Sequence, residues 1–175
     1  SFDFRHTGDS DGIPRNMMSP ARQRTDWEAA LAGLRGRGDV ATDTTVLWGV
    51  GLAGCGALDV AANDPRIDGV VAQTPILSGR AFLRRRGLGF VAGGLLTGLR
   101  DQSVVAGPHL VPVADDGREG GSRLALVSGP GTARGYRDLA SEEWDNRTPA
   151  RSVLALWRHT DDDTLAADGL LTGVG

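Results

Sequence analysis

The segment from Gly49 to Gly54 has the residue types and spacing that point most directly to chemistry. Taken as G-x-G-x-x-G between a strand and a helix, it fits a dinucleotide site, where backbone N–H groups and a helix N-terminus hold a pyrophosphate. Taken as a degenerate G-x-S-x-G, it fits a nucleophile elbow, in which a sharp strand-to-helix turn exposes a serine. In this second interpretation Gly51 stands in the serine position and Ala53 in the last glycine position.

Two features weigh against the dinucleotide interpretation. A dinucleotide site needs an acidic residue about 20 residues further on, at the end of the next strand, for the ribose hydroxyls. The next apolar run, Val70-Val71-Ala72, is followed by Gln73-Thr74-Pro75 instead. A complete helical unit also precedes the glycine turn. A dinucleotide-binding module that uses Gly49, Gly51 and Gly54 stays open as one alternative.

Five other side chains are candidates for chemistry. His6 follows the predicted end of a strand, where sites of α/β sheets lie, and together with Asp59 and His109 it is a candidate acid–base group; a structural histidine and a solvent-facing carboxylate are the simpler interpretations. Cys55 lies one helical turn beyond the elbow, which is the wrong place for the elbow nucleophile, so a buried core residue is expected. His159 precedes three consecutive aspartates, which favour a solvated acidic run over a metal site. The catalytic residues stay unknown, and no metal or cofactor is expected.

The helices and strands that must position these residues occur in the order typical of an α/β fold. Ser19 and Pro20 are typical of a helix start, and apolar residues at i, i+3, i+4 and i+7 predict a helix over Ala21–Arg35. Buried strands are predicted at Thr44–Trp48 and Ile67–Ala72, on either side of a small-residue helix that ends near Asn63. This order predicts a parallel sheet.

The flanking segments are less regular. Ser1–Phe4 is predicted to be the tail of a buried strand, and Ala81–Leu99 to hold one or two helices. Three further predictions are a short strand in His109–Val113, another strand in Leu124–Val127, and a helix over Glu142–Leu156 that Pro149 interrupts; the residues from Asp161 onward are expected to form a poorly ordered tail.

Several motifs occur in the order found in bacterial α/β-hydrolases of the esterase and dienelactone-hydrolase type. The segment Phe2–Arg15 resembles the D-Y-R-x-x-G-x-S-x-G-x-P-R stretch after the fourth strand of that family. The resemblance extends over about residues 1 to 158. The other matching segments are the next helix at Arg22–Ala30, the strands Leu47–Gly49 and Val70–Pro75 around the elbow helix, and the lid segments Pro108–Val113, Gly135–Arg137 and Trp144–Arg147.

The resemblance implies an α/β fold whose central parallel sheet is incomplete, with a helical lid segment. It divides the chain into a core with a degenerate elbow at 1–77, a lid-like segment at 78–160 and a tail at 161–175. Gly51 has no side chain and cannot form an acyl-enzyme. By the family pattern, the first three strands and an oxyanion-hole loop would precede Ser1, and the triad Asp and His would follow about residue 160. The chain is therefore expected to be a fragment, a half completed by a partner, or a rebuilt minimal fold.

The expected function is non-hydrolytic chemistry, such as elimination, cyclisation or isomerisation, on a small acyl or polyketide-like molecule; whether the chain is an enzyme is left open. The first alternative is a non-catalytic pseudo-hydrolase that binds a ligand or stabilises a partner. The ligand would contact the elbow and the loop before the first helix, at Gly49, Val50, Gly51, Leu52 and His6.

The amino-acid composition limits the classes of partner that the chain is expected to bind. A net charge of −3 and a pI of about 5.6 give no electrostatic reason to expect nucleic acid or an anionic membrane. The longest apolar stretch, Gly89–Leu99, is shorter than the roughly 20 residues that span a bilayer. A single cysteine suits a cytoplasmic protein. A second chain or a homo-oligomer would complete the sheet.

Overall fold

The computed structural model describes residues 1–103, 107–117, 124–142 and 144–159. Within these residues the chain forms six helices and six short strands. The helices are α1 (Pro20–Arg35), α2 (Leu52–Asn63), α3 (Gly79–Arg84), α4 (Leu88–Gln102), α5 (Thr132–Leu139) and α6 (Arg151–Arg158). The strands are β1 (Val46–Val50), β2 (Gly69–Gln73), β3 (Leu110–Pro112), β4 (Ala114–Asp115), β5 (Val127–Ser128) and β6 (Arg147–Pro149).

The β1-α2-β2 unit forms the parallel sheet that the sequence predicts. β1 and β2 pair in parallel, with Trp48 opposite Val71, and α2 connects them. One face of this sheet is covered, because Leu47 packs with apolar residues of α1 and α2 in a shared core. The members of that core are Trp27, Leu31, Leu47, Ala57 and Val60. The bounds of α1, β1, α2 and β2 lie within about two residues of those predicted.

The other face of β1 and β2 is exposed. Val46, Trp48 and Val50 of β1 and Val71 of β2 expose 49–64% of their surface. The prediction that both strands are buried is therefore wrong for half of their side chains. The physical reason is that a strand side chain points alternately to the two faces, and α1 and α2 pack on one of them.

A second core lies among the described residues that follow β2. Helices α3, α4 and α6 contact one another. Their apolar side chains form one cluster with Leu126, which precedes β5: Leu83, Phe90, Val91, Leu126, Val153 and Leu156. Gly98 permits the close approach of α4 to α6, because a Cβ there would lie 2.8 Å from Leu154 Cγ. Two small sheets, β3–β6 and β4–β5, complete this part, so it is a mixed segment and not a purely helical one.

A buried ion pair joins the end of α4 to the start of α6. Asp101 is 1% exposed and accepts hydrogen bonds from Arg151 Nε at 2.8 Å, from the Arg151 backbone N–H at 2.9 Å and from the His109 backbone N–H at 2.7 Å. Burial alone would raise the pKa of Asp101. The hydrogen bonds from Arg151 and His109 outweigh that effect and hold the pKa below its ordinary value.

Two further predictions need correction. Ser1–Phe4 forms no strand; Phe2 and Phe4 instead pack edge-to-face on Trp27. Glu142–Leu156 is not one interrupted helix, because Arg147–Pro149 form strand β6 and the helix begins only at Arg151.

The remaining predictions for helices and strands agree more closely with the structure. Ala81–Leu99 falls in α3 and α4, and His109–Val113 contains β3. In Leu124–Val127 only Val127 is in a strand. The predicted tail from Asp161 onward lies outside the described residues. In the part of the chain that the structure describes, no helix is long and apolar enough to cross a membrane.

Candidate functional site

Gly51 forms the turn between β1 and α2. Its backbone has a conformation that residues with a side chain rarely adopt. Its φ is +60° and its ψ is −120°, outside the regions favoured for L residues. Its N–H donates to Gln73 O at 3.0 Å, and its carbonyl accepts from the N–H groups of Cys55 and Ile76 at 3.2 and 3.1 Å. A Cβ at Gly51 would meet no atom within 4 Å. The turn is therefore sharp and firmly hydrogen-bonded, with open space where a side chain would project.

The two outer glycines of the motif serve helix–strand packing. A Cβ on Gly49 would lie 2.5 Å from the backbone of Ala53, and a Cβ on Gly54 would lie 2.8 Å from Gly49 O. Real Cβ atoms do not approach backbone atoms this closely, so both positions need glycine for α2 to pack on β1. This close contact explains the G-x-G-x-x-G pattern without a pyrophosphate.

His6 lies buried in the loop before α1. It is 5% exposed, and its Nε2 lies 2.9 Å from Nη1 of Arg22. A guanidinium only donates hydrogen bonds, so Nε2 accepts and the ring is neutral. Burial is the main cause that lowers the pKa of His6, and the positive charges of Arg22 and Arg5 lower it further. The surface depression that His6 lines includes no residue of the Gly49–Leu52 turn.

Asp59 and His109 are also placed away from the elbow turn. The Asp59 carboxylate pairs with Arg24 Nη1 at 3.1 Å on the flank of α2. The His109 side chain is exposed, and its backbone carbonyl accepts a hydrogen bond from the Ala150 N–H at 2.7 Å. The three candidate acid–base residues are thus held by different partners, and no described cavity brings them together.

The structure brings together a pair of side chains that the sequence interpretation had set apart. His159 Nε2 lies 3.4 Å from the Cys55 Sγ atom. Both residues line a cavity of about 250 Å³ next to α2, which Leu52 and Asp59 also line. Cys55 is buried as expected, but it faces an imidazole 104 residues further along the chain. No local signal in the sequence could have revealed a contact over that separation.

The described residues offer acid–base and nucleophilic groups but no metal centre. Among them, no group of three or more His, Cys, Asp or Glu side chains is close enough to hold a metal ion. Of the four predicted binding residues in the elbow turn, Leu52 lines the cavity next to Cys55, and Gly51 has open space above it.

Comparison with known proteins identifies the fold and gives relatives in sequence. No protein-family model matches the chain. The quorum-quenching protein AidA of Acinetobacter baumannii is 31% identical over 165 residues, which are 90% of this chain and 52% of AidA. The crystal structure of the α/β hydrolase GrgF from a Penicillium species superposes with a TM-score of 0.67 at 20% identity, covering 91% of this chain and 53% of GrgF. The chain is therefore similar in sequence to AidA, and its fold is that of an α/β hydrolase.

Three further proteins are similar to this chain or to a part of it. The structure of DcsB in complex with its substrate analogue superposes with a TM-score of 0.75 at 24% identity, over 93% of this chain and 56% of DcsB. A thiohydrolase of Arthrinium phaeospermum is 39% identical over 74 residues, 42% of this chain and 24% of the relative. A polyketide transferase of Aspergillus fumigatus is 35% identical over 75 residues, 43% of this chain and 26% of the relative. The chain spans about half the length of AidA, and the matched segments of 74 and 75 residues span about a quarter of these fungal relatives.

Proposed function

We propose that this α/β-hydrolase-like chain carries out non-hydrolytic chemistry, such as elimination, cyclisation or isomerisation, on a small acyl or polyketide-like molecule. The observation that carries the proposal is Gly51. The β1–α2 turn has the sharp form of a nucleophile elbow and open space above it, but the residue at its apex has no side chain to attack an ester.

The surroundings of the candidate acid–base groups support the same conclusion. A serine hydrolase needs an imidazole beside the nucleophile and a carboxylate behind the imidazole. Here His6 is neutral and bonded to Arg22, and Asp59 is paired with Arg24. A substrate at Gly51 would meet neither as a general base, so its acyl bond would survive.

The names of the relatives favour the acyl or polyketide class of ligand. A thiohydrolase and a polyketide transferase match residues of this chain, and DcsB was crystallised with a substrate analogue. A shared fold does not fix a reaction. What the proposal takes from these relatives is the class of molecule, a small organic ligand with an acyl group.

We also propose that a second copy of the chain covers the exposed face of the β1–β2 sheet. Val46, Trp48, Val50 and Val71 form a contiguous apolar surface on that face. Large exposed apolar patches mark interaction sites, and burial of such side chains is worth about 1.5–3 kcal/mol each. Two copies would present the same apolar face to each other, as a twofold interface requires.

The function is tested with an unsaturated β-hydroxyacyl N-acetylcysteamine thioester as the probe. The Cys55→Ser variant is used, so that no thiol of the protein can exchange with the thioester. We expect products that keep the thioester, with unchanged mass or with the loss of one water, identified by liquid chromatography and mass spectrometry. Gly51→Ala should reduce their formation by filling the space above the turn, whereas Gly87→Ala, at another positive-φ turn, should not. Release of the free acid as the main product would overturn the proposal, and saturable binding without conversion would favour the non-catalytic alternative.

A further inference from the structure

Reactive and charged side chains from three helices line the cavity next to α2. Cys55 comes from α2, Arg24 from α1, and Arg158 and His159 from the end of α6. The Arg24 guanidinium is neutralised by Glu28 and Asp59, at 3.2 and 3.1 Å. Arg158 is exposed at the rim. The cavity therefore offers a thiol, an imidazole and an accessible cation to a small molecule.

The thiol and the imidazole are within hydrogen-bonding distance of each other. Cys55 Sγ lies 3.4 Å from His159 Nε2, a normal separation for a hydrogen bond that involves sulfur. The thiolate is the nucleophilic form of cysteine, and an adjacent imidazole is the usual group that takes its proton. Cys55 lines the cavity but is only 2% exposed, so bulk water does not surround its sulfur.

We propose that Cys55 and His159 form a nucleophilic pair that adds to small α,β-unsaturated carbonyl compounds bound in this cavity. Leu52 of the elbow turn also lines this cavity, but the reaction proposed for Cys55 does not depend on the chemistry proposed at Gly51. It assigns a covalent role to a cysteine that is not at the elbow.

The surroundings of Cys55 favour conjugate addition over acyl transfer. Acyl transfer needs N–H donors placed at the oxygen next to the attacked carbon, but the Cys55 backbone N–H is already bonded to Gly51 O at 3.2 Å. In conjugate addition the sulfur bonds to the β carbon, and the negative charge develops on a carbonyl oxygen further away. A guanidinium at the rim, such as Arg158, stabilises charge at that more distant position.

The addition is balanced without a further reactant. His159 takes the proton of the Cys55 thiol, the sulfur forms a bond to the β carbon, and the π electrons of the double bond move onto the carbonyl oxygen as an enolate. His159 then returns the proton to the α carbon. No group leaves, and nothing is oxidised or reduced.

The test uses N-ethylmaleimide, which reacts by conjugate addition, on the full 175-residue chain. Cys55 is the only cysteine, so intact-mass spectrometry reports its reaction alone. We expect one adduct, formed about 10- to 30-fold faster at pH 7 than with N-acetylcysteine, because only a few per cent of an ordinary thiol is thiolate at that pH. Cys55→Ser should give no adduct.

Variants of the imidazole separate activation from mere burial. His159→Gln and His159→Asn should slow the reaction about 10- to 30-fold, while His109→Gln, at an exposed histidine elsewhere, should leave it unchanged. A structural role for His159 predicts the opposite, since loosening the cavity would expose the thiol and speed the reaction. The proposal is overturned if Cys55 reacts more slowly than N-acetylcysteine in the folded chain, or if both His159 variants react as fast as the parent or faster. Since labelling needs no turnover, its outcome does not depend on the result at Gly51.

Discussion

The geometry of the elbow turn predicts how much stability the protein loses when each of its glycines is replaced. Gly51 has positive φ and empty space around its missing Cβ, whereas a Cβ on Gly49 would lie 2.5 Å from the Ala53 backbone. Alanine at these two positions therefore tests two different costs. At Gly51 the cost is backbone strain alone, and at Gly49 it is a collision with backbone atoms that cannot rotate away.

The expected magnitudes follow from these two causes. Gly51→Ala should lower the free energy of unfolding by about 1–3 kcal/mol, the cost of holding a non-glycine residue at an unfavourable φ and ψ. Gly87→Ala, with φ +89° and nothing within 4 Å, should cost a similar amount. Gly49→Ala should cost about 3 kcal/mol or more, because the strand or the helix must shift. Gly33→Ala, inside α1 with open space, should stabilise by about 0.5–1 kcal/mol.

Urea unfolding of the four variants, followed by circular dichroism, measures these differences. In thermal unfolding each kcal/mol corresponds to about 2–4 °C for a chain of this size. The reasoning is refuted if Gly51→Ala is neutral or stabilising, since Gly51 would then not hold a strained turn. It is equally refuted if Gly49→Ala costs no more than Gly33→Ala, since β1 and α2 would not be in close contact.

Two further predictions follow from His6 and from the exposed face of the sheet. The pKa of buried His6 is lowered, so the unfolded chain takes up its proton first as the pH falls below 6.5, and the urea midpoint should fall between pH 7.5 and 5.5. His6→Asn should flatten this slope and His109→Gln should keep it; an unchanged slope in His6→Asn would show that other groups cause it. In sedimentation velocity the parent chain should self-associate through the β1–β2 face. Trp48→Gln should shift the chain to monomer. Leu139→Gln should not, because Leu139, which is 92% exposed, lies at the end of α5. Equal association of the two variants would exclude the proposed interface.

The sequence predicted the elements that local patterns control. α1 begins after Ser19 with Pro20 as its first residue, and α2 ends at Asn63, just before Asp64-Pro65, because these residues act locally on the backbone. The exposure of Trp48 was not predictable in this way, because an apolar β-rich run is typical of a buried strand, whichever face is covered.

Contacts between distant residues decided most of the site. Cys55 and His159 are 104 positions apart, and Asp101 and Arg151 are 50 apart, so neither pair has a spacing that could be recognised in the chain. The sharp glycine turn between β1 and α2 was predictable because such a strand-to-helix turn is itself a local motif. Its glycines showed in the sequence, but the separate causes, positive φ at Gly51 and close packing at Gly49, needed coordinates.

The central claim is that the elbow turn of this chain forms no acyl-enzyme, and the most direct measurement is the hydrolysis of p-nitrophenyl butyrate by Gly51→Ser in the Cys55→Ser background. Serine at the apex places a hydroxyl in open space, but His6 and Asp59 remain bonded to Arg22 and Arg24, so we expect neither of these two groups to activate it. We expect p-nitrophenolate release at the buffer rate, and an intact mass without a butyryl adduct. Release well above the buffer rate, together with a butyrylated Gly51→Ser protein, would contradict the account.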